Sequence, residues 1–281
     1  MKKILVPIDF SEMASHALNF AIGFSEKVNG EIVLVHVIEM PVGHLSFTGE
    51  VSTSGMEAFY TGEFIKATHN RMDEWAKRVQ DMGQKVSVHM KFGNAFTNIS
   101  KLISEEKADW IVMGSKGASG LKEVFIGSNA ERMIRHAHCP VLIIKGETHL
   151  KDIKSMAFAS DLSKEQDLVA NHAKDIQEML NLKMHLVKVK TPYNWLDESQ
   201  AKKQLEHFAE RNHLKDFTLH SIEADYADQG AVKFAEEEEA GMIVLGTHGK
   251  KGIDHIIGGS IAEDVVNESK IPILVYKILD Q

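Results

Sequence analysis

The chain has 281 residues, 43% of them hydrophobic, and carries a formal net charge of −8 with a pI near 6.0. That balance, with no basic stripe along the chain, argues against a non-specific nucleic-acid surface. No stretch approaches the roughly 20 apolar residues of a membrane span. The single Cys139 excludes an internal disulfide and fits a reducing compartment.

The start, Met-Lys-Lys-Ile-Leu-Val-Pro-Ile, mimics the charged end of a secretory signal. Its apolar run stops at Asp9, short of the roughly 7–15 residues such a signal needs, so a cytoplasmic protein is expected. Ile4 to Ile8 is an apolar run of the kind that forms a strand buried on both faces. Met13, Ala17, Phe20, Ala21, Phe24 and Val28 then recur at helical spacing, with Ser11 as N-cap and Gly30 as terminator. Ile32 to Val37 reads as the second strand, Phe64 to Met82 as the second helix, Val86 to Lys91 as the third strand and Ile99 to Lys107 as the third helix. Trp110 to Met113 is a fourth strand leading into Gly114-Ser-Lys-Gly117, and a fourth helix runs from Ser128 to Arg135. Val141 to Ile144 closes the unit as a fifth strand.

The same unit then occurs again. Asp9 in Pro7-Ile-Asp-Phe-Ser11 matches Asp161 in Ala159-Ser-Asp-Leu-Ser163 at an offset of 152, as does His36-Val37 with Lys188-Val189. Gly114-x2-Gly117-x9-Gly127-Ser128 matches Gly246-x2-Gly249-x9-Gly259-Ser260 at 132, and Pro140 to Lys145 matches Pro272 to Lys277 at the same offset. The second copy is therefore 20 residues shorter, with the loss placed between its second strand and its glycine loop. Repeats of this length are duplicated domains rather than solenoid units, which run to about 20–50 residues. The domains are expected at 1–146 and 153–281.

Alternating strands and helices imply an α/β fold: two doubly wound, five-stranded parallel sheets in tandem, each in order 3-2-1-4-5 with right-handed crossovers. Ligands of such sheets bind where the winding reverses, outside the carboxyl ends of strands 1 and 4. Asp9 and Gly114 converge there in the first copy, and Asp161 and Gly246 in the second. Glycines followed by a Ser at a helix start suit phosphate. A carboxylate does not face phosphate without a metal, so Asp9 is assigned to a base amine, a ribose hydroxyl or a cation. Val37 is positioned to offer backbone groups and an apolar wall to adenine.

The Val-Pro-Ile-Asp-Phe-Ser start, the Leu-Val-His-Val strand, the Gly-x2-Gly-x9-Gly-Ser loop and the Cys-Pro-Val-Leu end resemble the universal stress protein family, in its ATP-binding branch. The resemblance covers nearly the whole chain, in tandem, and implies an adenine nucleotide alpha hydrolase-like fold. It also implies that Asp9 and Val37 contact adenosine while Gly114, Gly117, Gly127 and Ser128 cradle the phosphates. Asp161, Val189, Gly246, Gly249, Gly259 and Ser260 would do the same in the second copy. The ligand so implied is ATP, with ADP or AMP as alternatives and Mg²⁺ as companion. It further implies that the two domains pair through their last strands as an internal pseudo-dimer, with homodimerisation of whole chains and a protein partner beyond that.

Pro7 becomes Ala159, His36 becomes Lys188, and Gly93, matched to Asp225, becomes acidic, so the two crevices are expected to be unequal, with the first the stronger. A stress-response regulator that reads nucleotide is the expected function. An ATPase or nucleotidyl transferase on the same fold, or a nucleotide-free scaffold, are the alternatives. Neither copy has a Walker A loop or a dinucleotide fingerprint. Met40 to Ala58 reads equally as a flap or a plain loop, Glu236 to Glu239 as a solvated helix face, and His136 and His138 lack the convergence that zinc needs.

Overall fold

Strands buried on both faces need helices on both sides, and the apolar runs of this chain meet that need twice. The computed structural model describes residues 1–39, 55–115, 126–247 and 261–278, with backbone alone at 55–61. In the first copy β1 (Lys2–Pro7), β2 (Gly30–Ile38), β3 (Lys85–Phe92), β4 (Trp110–Gly114) and β5 (Val141–Ile144) alternate with α1 (Glu12–Val28), α2 (Gly55–Asp81), α3 (Ala95–Glu106) and α4 (Ser128–His136). After a 3-10 turn at Leu150–Asp152 the second copy follows. It consists of β6 (Ser155–Ala159), α5 (Gln166–Leu180), β7 (Lys183–Lys190), α6 (Glu198–Arg211), β8 (Phe217–Glu223), α7 (Ala227–Glu237), β9 (Met242–Thr247), α8 (Ile261–Glu268) and β10 (Ile273–Lys277).

All ten strands form one sheet in the order β3-β2-β1-β4-β5-β10-β9-β6-β7-β8. Each half is parallel and has the expected 3-2-1-4-5 order. The halves meet antiparallel at the centre, where Val141, Leu142 and Ile143 face Val275, Leu274 and Ile273. That pairing gives both short last strands a partner on each side and, among the described strands, leaves edges at β3 and β8. Two apolar clusters, one on each face of the sheet, run across the join between the copies. Phe20, Phe24, Phe158 and Phe208 lie on one face, and Ile111, Ile134, Ile243 and Val265 on the other.

Helix starts and stops follow local chemistry. Ser11 Oγ accepts the Ala14 N–H (3.1 Å) and caps α1 as expected. The terminator differs: Asn29, at φ 49°, takes the left-handed cap, and Gly30 already belongs to β2. A side chain at Gly30 would press on Val28 and on the Lys2 carbonyl, at 3.1 and 3.2 Å. Helices α2 and α3 also start earlier than their apolar periodicity implied. For α3 the reason is Asn94, whose Oδ1 accepts the Thr97 N–H (3.0 Å).

The length difference between the copies is two changes rather than one. Phe217 pairs with Met184 as Val86 pairs with Ile32, which puts β8 at an offset of 131 from β3. The second copy thus lost 21 residues before its third strand, where α6 has 14 residues against 27 in α2, and regained one in the turn after that strand. The partner of Gly93 is accordingly Ala224 and not Asp225. Gly93 N–H donates to Ile38 C=O, and Ala224 N–H to the matching Lys190 C=O, both at 3.0 Å.

Candidate functional site

The crevice of the first copy is built by strands that end at different heights. Ile8 N–H makes the last β1 contact, to Val35 C=O at 2.8 Å. Backbone groups in a strand alternate sides, so the N–H and C=O of Val37 face the same way as those of Val35, above the end of β1. Next to that edge the chain turns sharply. Asp9 Oδ1 accepts the Ser11 N–H (3.0 Å), and Phe10 between them sits at φ 64°, a conformation rarely adopted by bulky residues. The second copy repeats the device: Asp161 Oδ1 accepts the Ser163 N–H (2.8 Å) around Leu162 at φ 66°. Two copies that spend backbone strain on the same turn hold the same carboxylate at the same place.

On the other side of the crevice stands the start of α4. Ser115 N–H donates to Ile144 C=O (3.0 Å), and Gly127 N–H closes back on Ser115 C=O (2.7 Å), so both ends of the intervening loop are fixed to the sheet. Gly127 is the N-cap of α4 and supplies no side-chain cap. Ser11, Asn94 and Asp197 cover free N–H groups at the starts of α1, α3 and α6, whereas Gly127, like Glu165 before α5 and Tyr226 before α7, does not. The first turn of α4 presents its N–H groups and the positive end of the helix dipole without such cover. A cavity of about 530 Å³, lined by Phe96, Arg132 and His136 among others, reaches Ser128 from the outer side of that helix.

Gly114 and Gly246 each stand where a side chain would meet the first helix of its copy. A Cβ at Gly114 would lie 3.0 Å from the backbone of Met13, and one at Gly246 would lie 2.6 Å from Gln166 Oε1 and 2.7 Å from Val169 Cγ2. Both let the first helix of their copy lie against the end of the fourth strand. Gly117, Gly249, Gly259 and Ser260 lie outside the described residues.

The second crevice differs in its base wall. Val187 and Val189 stand as Val35 and Val37 do, with Ser160 N–H donating to Val187 C=O at 3.0 Å. Here Asn194 Nδ2 donates to the Val189 carbonyl (3.4 Å), which occupies the group that Val37 holds towards its crevice. Lys188, which stands where His36 does, is 5% exposed and its Nζ donates to Asp161 C=O (3.2 Å). Burial pushes its ammonium below the ordinary lysine range, and the Asp161 carboxylate partly offsets this. In the first copy His36 Nδ1 meets Ile8 C=O (2.8 Å) under the Phe10 ring, with Trp75 edge-on and the Arg71 guanidinium 4.1 Å above that ring. Arg71, Trp75 and Asn194 were not picked out from sequence. Arg71 and Trp75 fall in the stretch where the copies differ in length, so the repeat gives no signal for them.

The two copies are joined across the centre of the sheet through α4 and α8. Ile126 N–H, next to Gly127, donates to Asn267 Oδ1 on α8 (2.7 Å). Arg135 of α4 makes a two-pronged bond to Glu263 of α8, and Lys145 Nζ reaches the Val266 carbonyl.

Comparison with known proteins agrees with this architecture. A sequence profile of the universal stress protein family matches residues 1–145 and again 153–277. Universal stress protein MJ0531 of Methanocaldococcus jannaschii is 31% identical over 145 residues, 51% of this chain and 82% of that protein. Universal stress protein MJ0577 of the same organism is 32% identical over 157 residues, 51% of this chain and 94% of that protein. The crystal structure of a universal stress protein from Archaeoglobus fulgidus superposes with a TM-score of 0.75 at 24% identity, covering 99% of this chain and 97% of the other, which shows the same tandem fold. With a doubled match to the profile, the chain belongs to the universal stress protein family.

Proposed function

We propose that the chain is a nucleotide-reading stress regulator that binds ATP, accompanied by Mg²⁺, in its first crevice. The observation that carries this reading is the start of α4. Its free N–H groups are uncovered by any side-chain cap, and its loop ends are pinned to the sheet opposite the Asp9 turn. A helix start of that kind favours phosphate over a neutral ligand. Val37 supplies a donor and an acceptor at the edge of a strand, which suits the amine edge of adenine, and Asp9 accepts from ribose hydroxyls. Gly127 and Ser128 hold the phosphates; the roles assigned to Gly117, Gly249, Gly259 and Ser260 rest on the family resemblance alone.

The second crevice repeats the Asp161 turn, but Asn194 holds the Val189 carbonyl, so adenine binds there more weakly. Nucleotide at the start of α4 bears on α8 through Asn267, which gives a partner or a second chain a surface that differs between the free and bound forms.

Calorimetry with Mg-ATP on the full chain tests this. We expect saturable heat, weakened at least tenfold by Asp9→Ala through the loss of a charged acceptor, and changed little by Asp161→Ala. No heat at millimolar nucleotide, or equal losses in the two variants, would overturn it.

A further inference from the structure

The β7–α6 connection spends its polar groups on holding itself. The N–H and Oγ1 of Thr191 donate to Asn194 Oδ1 at 2.6 and 3.2 Å, and Asn194 N–H returns to the Thr191 carbonyl at 3.1 Å. Asp197 and Gln200 close the connection with a reciprocal cap on α6. What it turns outward is aromatic: Tyr193 is 93% exposed and Trp195 64%. The β8–α7 turn adds Tyr226, 59% exposed. Lys190 and Glu223 are register partners on neighbouring parallel strands, and Tyr193 and Tyr226 each follow that pair by three residues. The three rings therefore share one end of the sheet, at its outer edge.

Among the described residues of these two turns the exposed charge is negative. Asp197 and Asp225 are exposed, whereas Lys190 is buried with its ammonium held by Glu198 and Glu223, both at 3.1 Å. Single exposed apolar residues need no explanation, but three large rings on pre-ordered turns among acids do. Rings offer negative faces to cations, and a loop already fixed in shape loses little freedom on binding.

We propose that this end of the second copy docks a Lys- or Arg-bearing segment of a partner protein. The cations lie over Tyr193, Trp195 and Tyr226 and pair with Asp197 and Asp225. The surface stands apart from the first crevice and does not rest on the nucleotide reading.

The test uses the full chain and a fluorescein-labelled 12-residue peptide alternating Lys and Arg with Ser, at physiological salt. Its control carries acetyl-lysine and citrulline in place of the cations. Anisotropy should report binding of the charged peptide alone, with a change in tryptophan emission. Trp195→Ser, which keeps the net charge, should weaken binding about tenfold, and Tyr193→Ser, at the most exposed position, serves as the second variant if the first misfolds. Three results would overturn the proposal: equal binding by wild type and both variants, which is diffuse attraction; equal binding of the neutral peptide, which is apolar contact; and, without peptide, a sedimentation dimer that Trp195→Ser dissolves, which makes the occupant a second copy of this chain.

Discussion

Replacing Gly246 with Ala tests the packing role of a motif glycine. The new Cβ would stand 2.6 Å from Gln166 Oε1, 2.7 Å from Val169 Cγ2 and 3.1 Å from Gln166 Nε2. Carbon atoms rest at about 3.5–4.0 Å, so the overlap with Val169 is close to 1 Å. Gln166 is long and can swing aside, but Val169 is β-branched, fully buried and fixed on α5. Relief therefore requires α5 to move off β9. Overpacking of this kind costs about 1–3 kcal/mol, and removing a strand glycine returns about 0.5–1 kcal/mol. We expect a net loss of about 1–2 kcal/mol, read as a lower urea midpoint of the transition. Gln166→Ala on top should recover part of that loss, a coupling of the two positions in a double-mutant cycle, while Mg-ATP binding at the first crevice stays as in wild type. A Gly246→Ala chain as stable as wild type would refute the close approach of α5 to β9.

Other consequences follow from buried polar groups. His185 and His220 lie 3.3 Å apart across β7 and β8, both against the Phe234 ring and both bonded to Thr218 Oγ1. Burial lowers both pKa values, with Lys183 lowering and Glu238 raising them further out. A depressed histidine favours the neutral folded state, so this stability is present above pH 6.5 and is lost as pH falls below it. Unfolding midpoints measured from pH 7.5 to 5 should fall more steeply for wild type than for His185→Val, and equal slopes would count against the pair. Burial pushes the Cys139 thiol up to about 12, so native protein should react with a thiol reagent far more slowly than urea-unfolded protein at pH 8; equal rates would contradict this. Arg135→Met should destabilise by about 2–4 kcal/mol, because it strips a two-pronged partner from the nearly buried Glu263 carboxylate, and an unchanged midpoint would show that the α4–α8 contact carries no load.

The alternation of strands and helices, the duplicated domain and the strand order were legible in the sequence because each strand is an apolar run with its own turn chemistry. The recurrence of Asp9 and Ser11 as Asp161 and Ser163 was legible too, although the turn that each carboxylate closes was not read from it. What escaped depends on contacts between distant residues. Asn29 rather than Gly30 ends α1 because Gly30 is needed against Lys2 on the neighbouring strand. The Asp225 match failed because an alignment anchored on helix starts hides one residue gained in a turn that only strand register reveals. The close packing of Gly114 on Met13 and of Gly246 on Gln166 also escaped, because these neighbours lie about 100 and 80 positions away, where no local pattern reaches.

The central claim is that adenine nucleotide sits between Asp9, Val37 and the start of α4. A crystal of the full chain soaked in Mg-ATP tests it most directly. The account predicts density in the first crevice, phosphates at the Ser128 N–H groups and the base at the Val37 edge, with weaker density or none beside Val189. Density confined to the second crevice or to the groove outside α4, or its absence from all three, would contradict it.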